Sequence, residues 1–185
     1  MLKYFIWGLL LLGFHFSHAQ GPDQLDSLLT EIDRSSVDSV KANLYILAGR
    51  SVRNLPPDST LYFYHLADSH ISEGLTKTQG EESHRYLEFK GLLLSHQAIH
   101  YQGTGEFQWA EEAFLEALTF QEPYGKPKEI AKTYNYLGRI DEIKREPEKF
   151  YDYTNKALVH QIAAKDTIGI ATSFISHGAY FERKG

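Results

Sequence analysis

The stretch GEFQWAEEAFLEAL, residues 105–118, decides how the rest of the sequence is interpreted. It opens with a glycine and then places Ala110, Phe114 and Ala117 at steps of four and three. Steps of this size bring side chains onto one face of a helix. Because this face is small and apolar, it predicts a helix that packs closely on another. The glycine predicts the end of a preceding helix, so the stretch indicates a helix, a turn and a second helix.

The same pattern recurs without gaps at a step of forty residues, and each unit therefore predicts two helices and a turn. A pair of such helices cannot cover its own apolar face, so neighbouring pairs must stack. The prediction is an all-α fold, a solenoid of helical hairpins. Small residues at Ala98, Gly138 and Gly178 predict a close approach of the two helices of a pair. The other matched positions are Leu94, Tyr134 and Phe174; Tyr101, Asp141 and Phe181; Gly105, Arg145 and Gly185; Ala117 and Ala157.

These units resemble the tetratricopeptide repeat. In its signature the first helix carries a large residue, then Leu-Gly, then an aromatic residue, and the second helix carries an alanine, an aromatic residue and another alanine. The resemblance is carried by Tyr134, Leu137 and Gly138 in YNYLG, and by Gly105, Ala110, Phe114 and Ala117 in the opening stretch. The unit at 131–158 departs from the signature at Asp141, Arg145 and Phe150. The resemblance implies tetratricopeptide-like hairpins whose first helices line a concave groove for a peptide or partner helix.

The predicted organisation has six parts along the chain. A weaker copy precedes the others, and its closing Ala67 lies fifty residues before Ala117, so the connection is longer or the next helix begins early. The final part contains only a first helix, and we expect either that the polypeptide continues past Gly185 or that another molecule supplies the second helix. The parts are a signal peptide at 1–19, a leading helix at 20–36, a degenerate repeat at 37–75, repeats at 81–125 and 126–165, and the first helix of an incomplete repeat at 166–185.

The N-terminal residues have the pattern of a signal peptide. The apolar run YFIWGLLLLGFHF follows Lys3 and precedes SHA, which predicts cleavage after Ala19. The run is too short to cross a hydrocarbon core of roughly 30 Å. The pattern therefore predicts an exported periplasmic or cell-envelope protein, and no second apolar run predicts a later membrane span. The absence of cysteine excludes disulfides. A net charge of -5 without a run of basic residues disfavours a nucleic-acid partner.

Export together with Tyr-rich repeats resembles the N-terminal sensory region of bacterial envelope signalling proteins, where such repeats precede a histidine kinase or a DNA-binding domain. The resemblance implies a non-catalytic scaffold that binds a protein or peptide segment, and no cofactor. A stand-alone envelope adaptor or assembly factor is the alternative. The uncovered last helix, with Phe174, Gly178 and Phe181, also predicts association of the chain with itself.

Polar residues on the first helices are the candidates for the groove. Asn135 and Arg139, one turn apart, are suited to grip a peptide backbone or a carboxylate. A plain solvated stripe is the alternative interpretation. The full set of candidates is Tyr45, Ser95, Ile99, Gln102, Lys132, Asn135, Arg139 and Glu142.

Catalytic signals are weak. In HQAIH, His96 and His100 lie one helical turn apart, a spacing that holds zinc when a third ligand is near, but Gln97 stands where metalloproteases carry glutamate. Packing or solvent exposure is favoured over a zinc enzyme. The carboxylates Asp141, Glu142 and Glu146 lie close together in the sequence and are interpreted as part of a solvated face. The sequence therefore predicts no enzyme.

Overall fold

The computed structural model describes the backbone of residues 21–184 and the side chains of residues 24–184. The predicted signal peptide, residues 1–19, lies outside this range, as does Gly185. The described range is all-α, with eight helices and no strand, and none of its helices is long and apolar enough to cross a membrane. The helices are α1 (Gly21–Arg34), α2 (Asp38–Ser51), α3 (Pro57–Lys77), α4 (Glu81–Thr104), α5 (Phe107–Tyr124), α6 (Pro127–Lys144), α7 (Pro147–Ala163) and α8 (Thr167–Lys184).

The helices pack as stacked hairpins. The most extensive contacts join α2 to α3, α4 to α5 and α6 to α7, and the second helix of each pair also contacts the first helix of the next. The first helices α2, α4 and α6 touch one another in series, while α1 packs on α2 and α8 on α7. The predicted all-α solenoid of helical hairpins is confirmed.

The buried faces follow the forty-residue pattern. Phe114 is fully buried and stacks on Tyr136 at 5.3 Å between ring centroids, while Tyr101 is half-buried against Trp109. The step from Ala67 to Ala117 is fifty residues rather than forty, and most of the additional residues lie in α4. This helix begins early and has 24 residues, whereas α6 has 18. The predicted packing residues that are buried are Leu94, Ala98, Ala110, Phe114, Ala117, Tyr134, Leu137, Gly138 and Ala157.

The helices approach closely at Gly138, and more closely still at Gly91, a position that was not predicted. A Cβ at Gly138 would lie 3.6 Å from the Phe150 ring, an ordinary contact, and one at Gly178 would meet nothing within 4 Å. The buried Gly138 therefore lies where α6 and α7 approach closely, as predicted, whereas at Gly178 no other helix of the described range comes near. At Gly91 an added Cβ would lie 2.8 Å from Gln121 Cγ, so there the helices are close.

Two buried glutamines, forty residues apart, join successive hairpins. Gln121 Nε2 donates to the Gly91 carbonyl at 3.1 Å, and its Oε1 accepts from the Thr133 hydroxyl at 2.7 Å. In the next unit Gln161 Oε1 accepts from the Ser173 hydroxyl at 2.7 Å. Since buried polar groups need partners, these bonds specify how α5 meets α6 and how α7 meets α8.

Helix α8 packs on one side only. Ser173 and Tyr180 are buried, and Tyr180 stacks on Tyr151 at 4.5 Å. Away from this contact Phe174 is 59% exposed, and Phe181, whose ring meets that of Tyr151 edge-on at 5.4 Å, is still 57% exposed. Within the described residues the predicted packing role is therefore unfilled at Phe174 and Gly178, and Phe181 fills it only through the edge of Tyr151.

Replacing Ser173 by alanine tests the glutamine contact. Gln161 would keep a buried Oε1 without a donor, and we expect the free energy of unfolding to fall by about 1–3 kcal/mol. Thr172→Ala is the matched control, since this exposed hydroxyl bonds only to its own helix at the Ile168 carbonyl, and its effect should stay within about 0.5 kcal/mol. Urea unfolding measures both values, and equal effects would contradict the assignment.

The turn after α6 allows a second test. Arg145 has φ 60° in the left-handed region, at the position where Gly105 has φ 86°. A left-handed non-glycine residue costs about 1–2 kcal/mol, partly offset by the greater flexibility of glycine when unfolded. We expect Arg145→Gly to raise the free energy of unfolding by about 0.5–1 kcal/mol and Gly105→Ala to lower it, both read from urea midpoints. A fall in stability for Arg145→Gly would show that the arginine side chain outweighs its strained backbone.

Candidate functional site

A groove of about 480 Å³ runs across the row of first helices. The end of α2 contributes Arg50, and the segment after it contributes Arg53. Its walls are completed by the start of α3, by residues 95–104 of α4 and by residues 129–136 of α6. Another hollow, of about 530 Å³, is lined by α1 alone, so it does not bring groups from several helices together. We call the first cavity the inter-hairpin groove.

The inter-hairpin groove is positively charged in a chain whose net charge is -5. It presents Arg50, Arg53 and Lys132 against one carboxylate, Glu129, which pairs with Lys132 at 2.9 Å. Neither arginine forms an ion pair with any residue of the described range. A cleft lined by one sign of charge concentrates oppositely charged ligands. The groove is therefore suited to an anion.

His96 supplies an unused hydrogen-bonding atom to the same groove. Its ring stacks on Tyr64 at 6.5 Å, and its Nε2 is buried without a partner in the described range. Burial lowers the pKa of His96 to about 3, and the charges of Arg50, Lys132 and Arg53 act in the same direction. The imidazole is therefore neutral at neutral pH.

A second such atom is the Thr60 hydroxyl, at the start of α3. Its Oγ1 is buried and has no partner among residues 24–184, and Thr60 lines the groove together with His96. Buried polar atoms without partners are uncommon in folded proteins and each requires an explanation. Thr60 is fully buried, so its hydroxyl lies beneath the groove surface, while His96 is half-buried at the groove wall.

Three of the predicted groove residues, Ser95, Ile99 and Lys132, line the inter-hairpin groove, and five do not. Tyr45 is buried and stacks on His70 at 5.5 Å, so the interpretation of it as a groove residue is wrong. The remaining four lie outside the lining: Gln102 and Asn135 are half-buried, Arg139 lies over the Tyr136 ring, and Glu142 pairs with Arg183 at 3.7 Å.

Sequence reasoning missed the groove residues contributed by the first hairpin. Arg50 and Arg53 lie at and just after the end of α2, and Thr60 and Tyr64 lie in the first half of α3. His96 was interpreted as a packing or solvent-exposed residue. The groove crosses the first helices at an angle. Residues of α2 that match groove residues of α6 in the forty-residue repeat therefore do not line it. The basic pair at positions 50 and 53, three residues apart next to a helix end, was the available signal.

The histidine pair has no third ligand. His100 also lines the groove, and its ring lies 6.1 Å from that of Tyr101. Within residues 24–184 the one group of three potential ligands whose atoms converge is Asp38, His70 and Glu73, which includes neither member of the pair. The geometry therefore gives no support to zinc at His96 and His100.

Asp141 is buried rather than solvated. This residue is 1% exposed, and its Oδ2 has no hydrogen-bond partner in the described range. Burial raises the pKa of Asp141, and the negative charges of Glu111 and Glu146 raise it further. The interpretation of this carboxylate as part of a solvated face is wrong, because the repeat places it at the inward position that Tyr101 holds one unit earlier.

Comparison with models of known protein families and with curated proteins finds no match for this chain. The geometry of the inter-hairpin groove therefore carries the functional argument.

The depressed pKa of His96 leads to a prediction about acid stability. The unfolded chain takes up a proton near pH 6.5, but the folded protein resists protonation until about pH 3, so stability falls as pH drops through this window. We expect wild type to lose about 2 kcal/mol more than His96→Phe between pH 7 and pH 5. Phenylalanine keeps the ring against Tyr64, and urea unfolding at both pH values provides the measurement. Parallel losses in the two proteins would contradict the burial of a neutral imidazole.

Proposed function

We propose that this chain is a non-catalytic, exported scaffold whose inter-hairpin groove binds an extended acidic segment of a partner protein. The observation that carries the proposal is the pair of arginines, Arg50 and Arg53, without carboxylate partners in the described range, beside the unused polar atoms of Thr60 and His96. A carboxylate side chain would satisfy the arginines by charge-assisted hydrogen bonds.

The shape of the groove supports a peptide more than a compact anion. It crosses α2, α4 and α6, and its walls combine the charged residues with apolar ones such as Ile99, Leu55 and Tyr136. An extended segment presents alternating polar backbone groups and side chains along such a path. A nucleic acid is disfavoured because the chain has a net charge of -5 and a basic surface limited to a few residues.

The place of this scaffold in the cell rests on sequence. The signal-peptide pattern before Ala19 supports export to the periplasm or cell envelope. The resemblance to the sensory repeats of envelope signalling proteins supports a role in which the bound segment is a signal. The helical-hairpin solenoid is the architecture that both the resemblance and the groove require.

Selection from a random peptide display library tests the binding proposal. Wild-type protein should enrich peptides rich in Asp and Glu, and the enrichment should disappear at high salt because it depends on charge. An Arg50→Ser, Arg53→Ser double variant should lose it. Arg139→Ser is the control, since Arg139 is also exposed but lies outside the groove lining. No acidic enrichment, or equal enrichment by the double variant, would contradict the proposal.

The export proposal has a separate test. The mature protein, isolated from cells that express the natural gene, should begin at Gln20, as read by N-terminal sequencing, and should lie outside the cytoplasm on fractionation. A cytoplasmic product that retains Met1 would overturn export without affecting the binding proposal.

A further inference from the structure

A cluster of three potential metal ligands lies away from the inter-hairpin groove, where the start of α2 meets the end of α3. Asp38 is the first residue of α2, and His70 and Glu73 lie one turn apart on α3. One ligand atom from each side chain falls within 4.8 Å of the other two. The described residues contain no other group of three His, Asp or Glu side chains arranged in this way.

The spacing of two of these atoms fits a zinc ion. His70 Nδ1 and Asp38 Oδ1 are 3.3 Å apart. Two ligands bound tetrahedrally to zinc at about 2.0–2.1 Å lie about 3.3 Å from each other, so the pair already spans one edge of the tetrahedron. The Tyr45 ring stacks on His70 with an interplanar angle of 14°, which holds the imidazole in this orientation.

A cation already occupies the space between the two carboxylates. Lys77 Nζ lies 2.7 Å from Glu73 Oε1 and 3.5 Å from Asp38 Oδ2. The ammonium is on a flexible side chain that is 55% exposed, so it can withdraw into water when a second cation arrives. Glu73 is 54% exposed and free to turn toward His70. The last turns of α3 also carry the negative end of its helix dipole, which favours positive charge.

We propose that Asp38, His70 and Glu73 bind one zinc ion, with water as the fourth ligand and with Lys77 displaced. The donor set of one imidazole and two carboxylates suits zinc better than calcium or magnesium, which take oxygen ligands. Because the ligands come from two helices, the metal links the start of α2 to the end of α3. It thereby braces the hairpin that presents Arg50 and Arg53 to the groove.

Calorimetric titration of untagged, chelator-treated mature protein with zinc chloride tests the proposal. Wild type should bind one equivalent, and cobalt should give the visible absorption of a tetrahedral site. His70→Phe keeps the ring on Tyr45 but removes the ligand, and it should weaken binding by about tenfold or more. His65→Phe is the matched control, because His65 lies exposed on the same helix outside the cluster, and it should bind as wild type does.

The Lys77→Met variant separates this site from adventitious surface binding. Removing the competing ammonium should tighten zinc binding several-fold, and zinc should raise the melting temperature of wild type but not of His70→Phe. If His70→Phe fails to fold, Asp38→Asn replaces it with the same expected loss. Absence of stoichiometric binding by wild type, retained affinity in the ligand variants, or unchanged affinity in Lys77→Met would each overturn the proposal.

Discussion

A hairpin packed through Ala110, Phe114 and Ala117 still leaves apolar surface on both of its helices, and burying that surface requires another hairpin beside it. This constraint accounts for the row of first helices and for the contact of each second helix with the hairpin that follows. Apolar packing alone would tolerate small slips between neighbours. The buried hydrogen bonds of Gln121 and Gln161 depend on position, so they fix the register of the stack.

The groove is a consequence of the same stacking. Three first helices laid side by side form one wall. The end of α2 and the turn after it bring Arg50 and Arg53 to the edge of this wall, near His96 and Thr60. The packing thus brings an excess of positive charge to one cleft, which would concentrate acidic ligands there. A zinc ion at the far end of α2 and α3 would hold this hairpin in position without entering the groove.

The forty-residue period was sufficient to predict the all-α hairpin solenoid, because each match constrains a helix face. It also placed Gly105 and Arg145 at equivalent positions, and both adopt left-handed backbone angles although only one is glycine. The groove was predicted less well, since its lining depends on how far one hairpin is rotated against the next, a quantity that no local pattern encodes. For the same reason the approach of His70 to Asp38, 32 residues away along the chain, was missed, although His70 and Glu73 visibly share a helix face.

Hydrogen exchange of the protein, measured with and without an acidic peptide obtained by selection, tests the central claim most directly. If the inter-hairpin groove is the binding surface, protection should increase at the end of α2, in residues 95–104 of α4 and in residues 129–136 of α6, and the exposed side of α8 should be unchanged. Protection confined to α8, around Phe174 and Phe181, would show that the peptide binds there and would contradict the assignment of the groove.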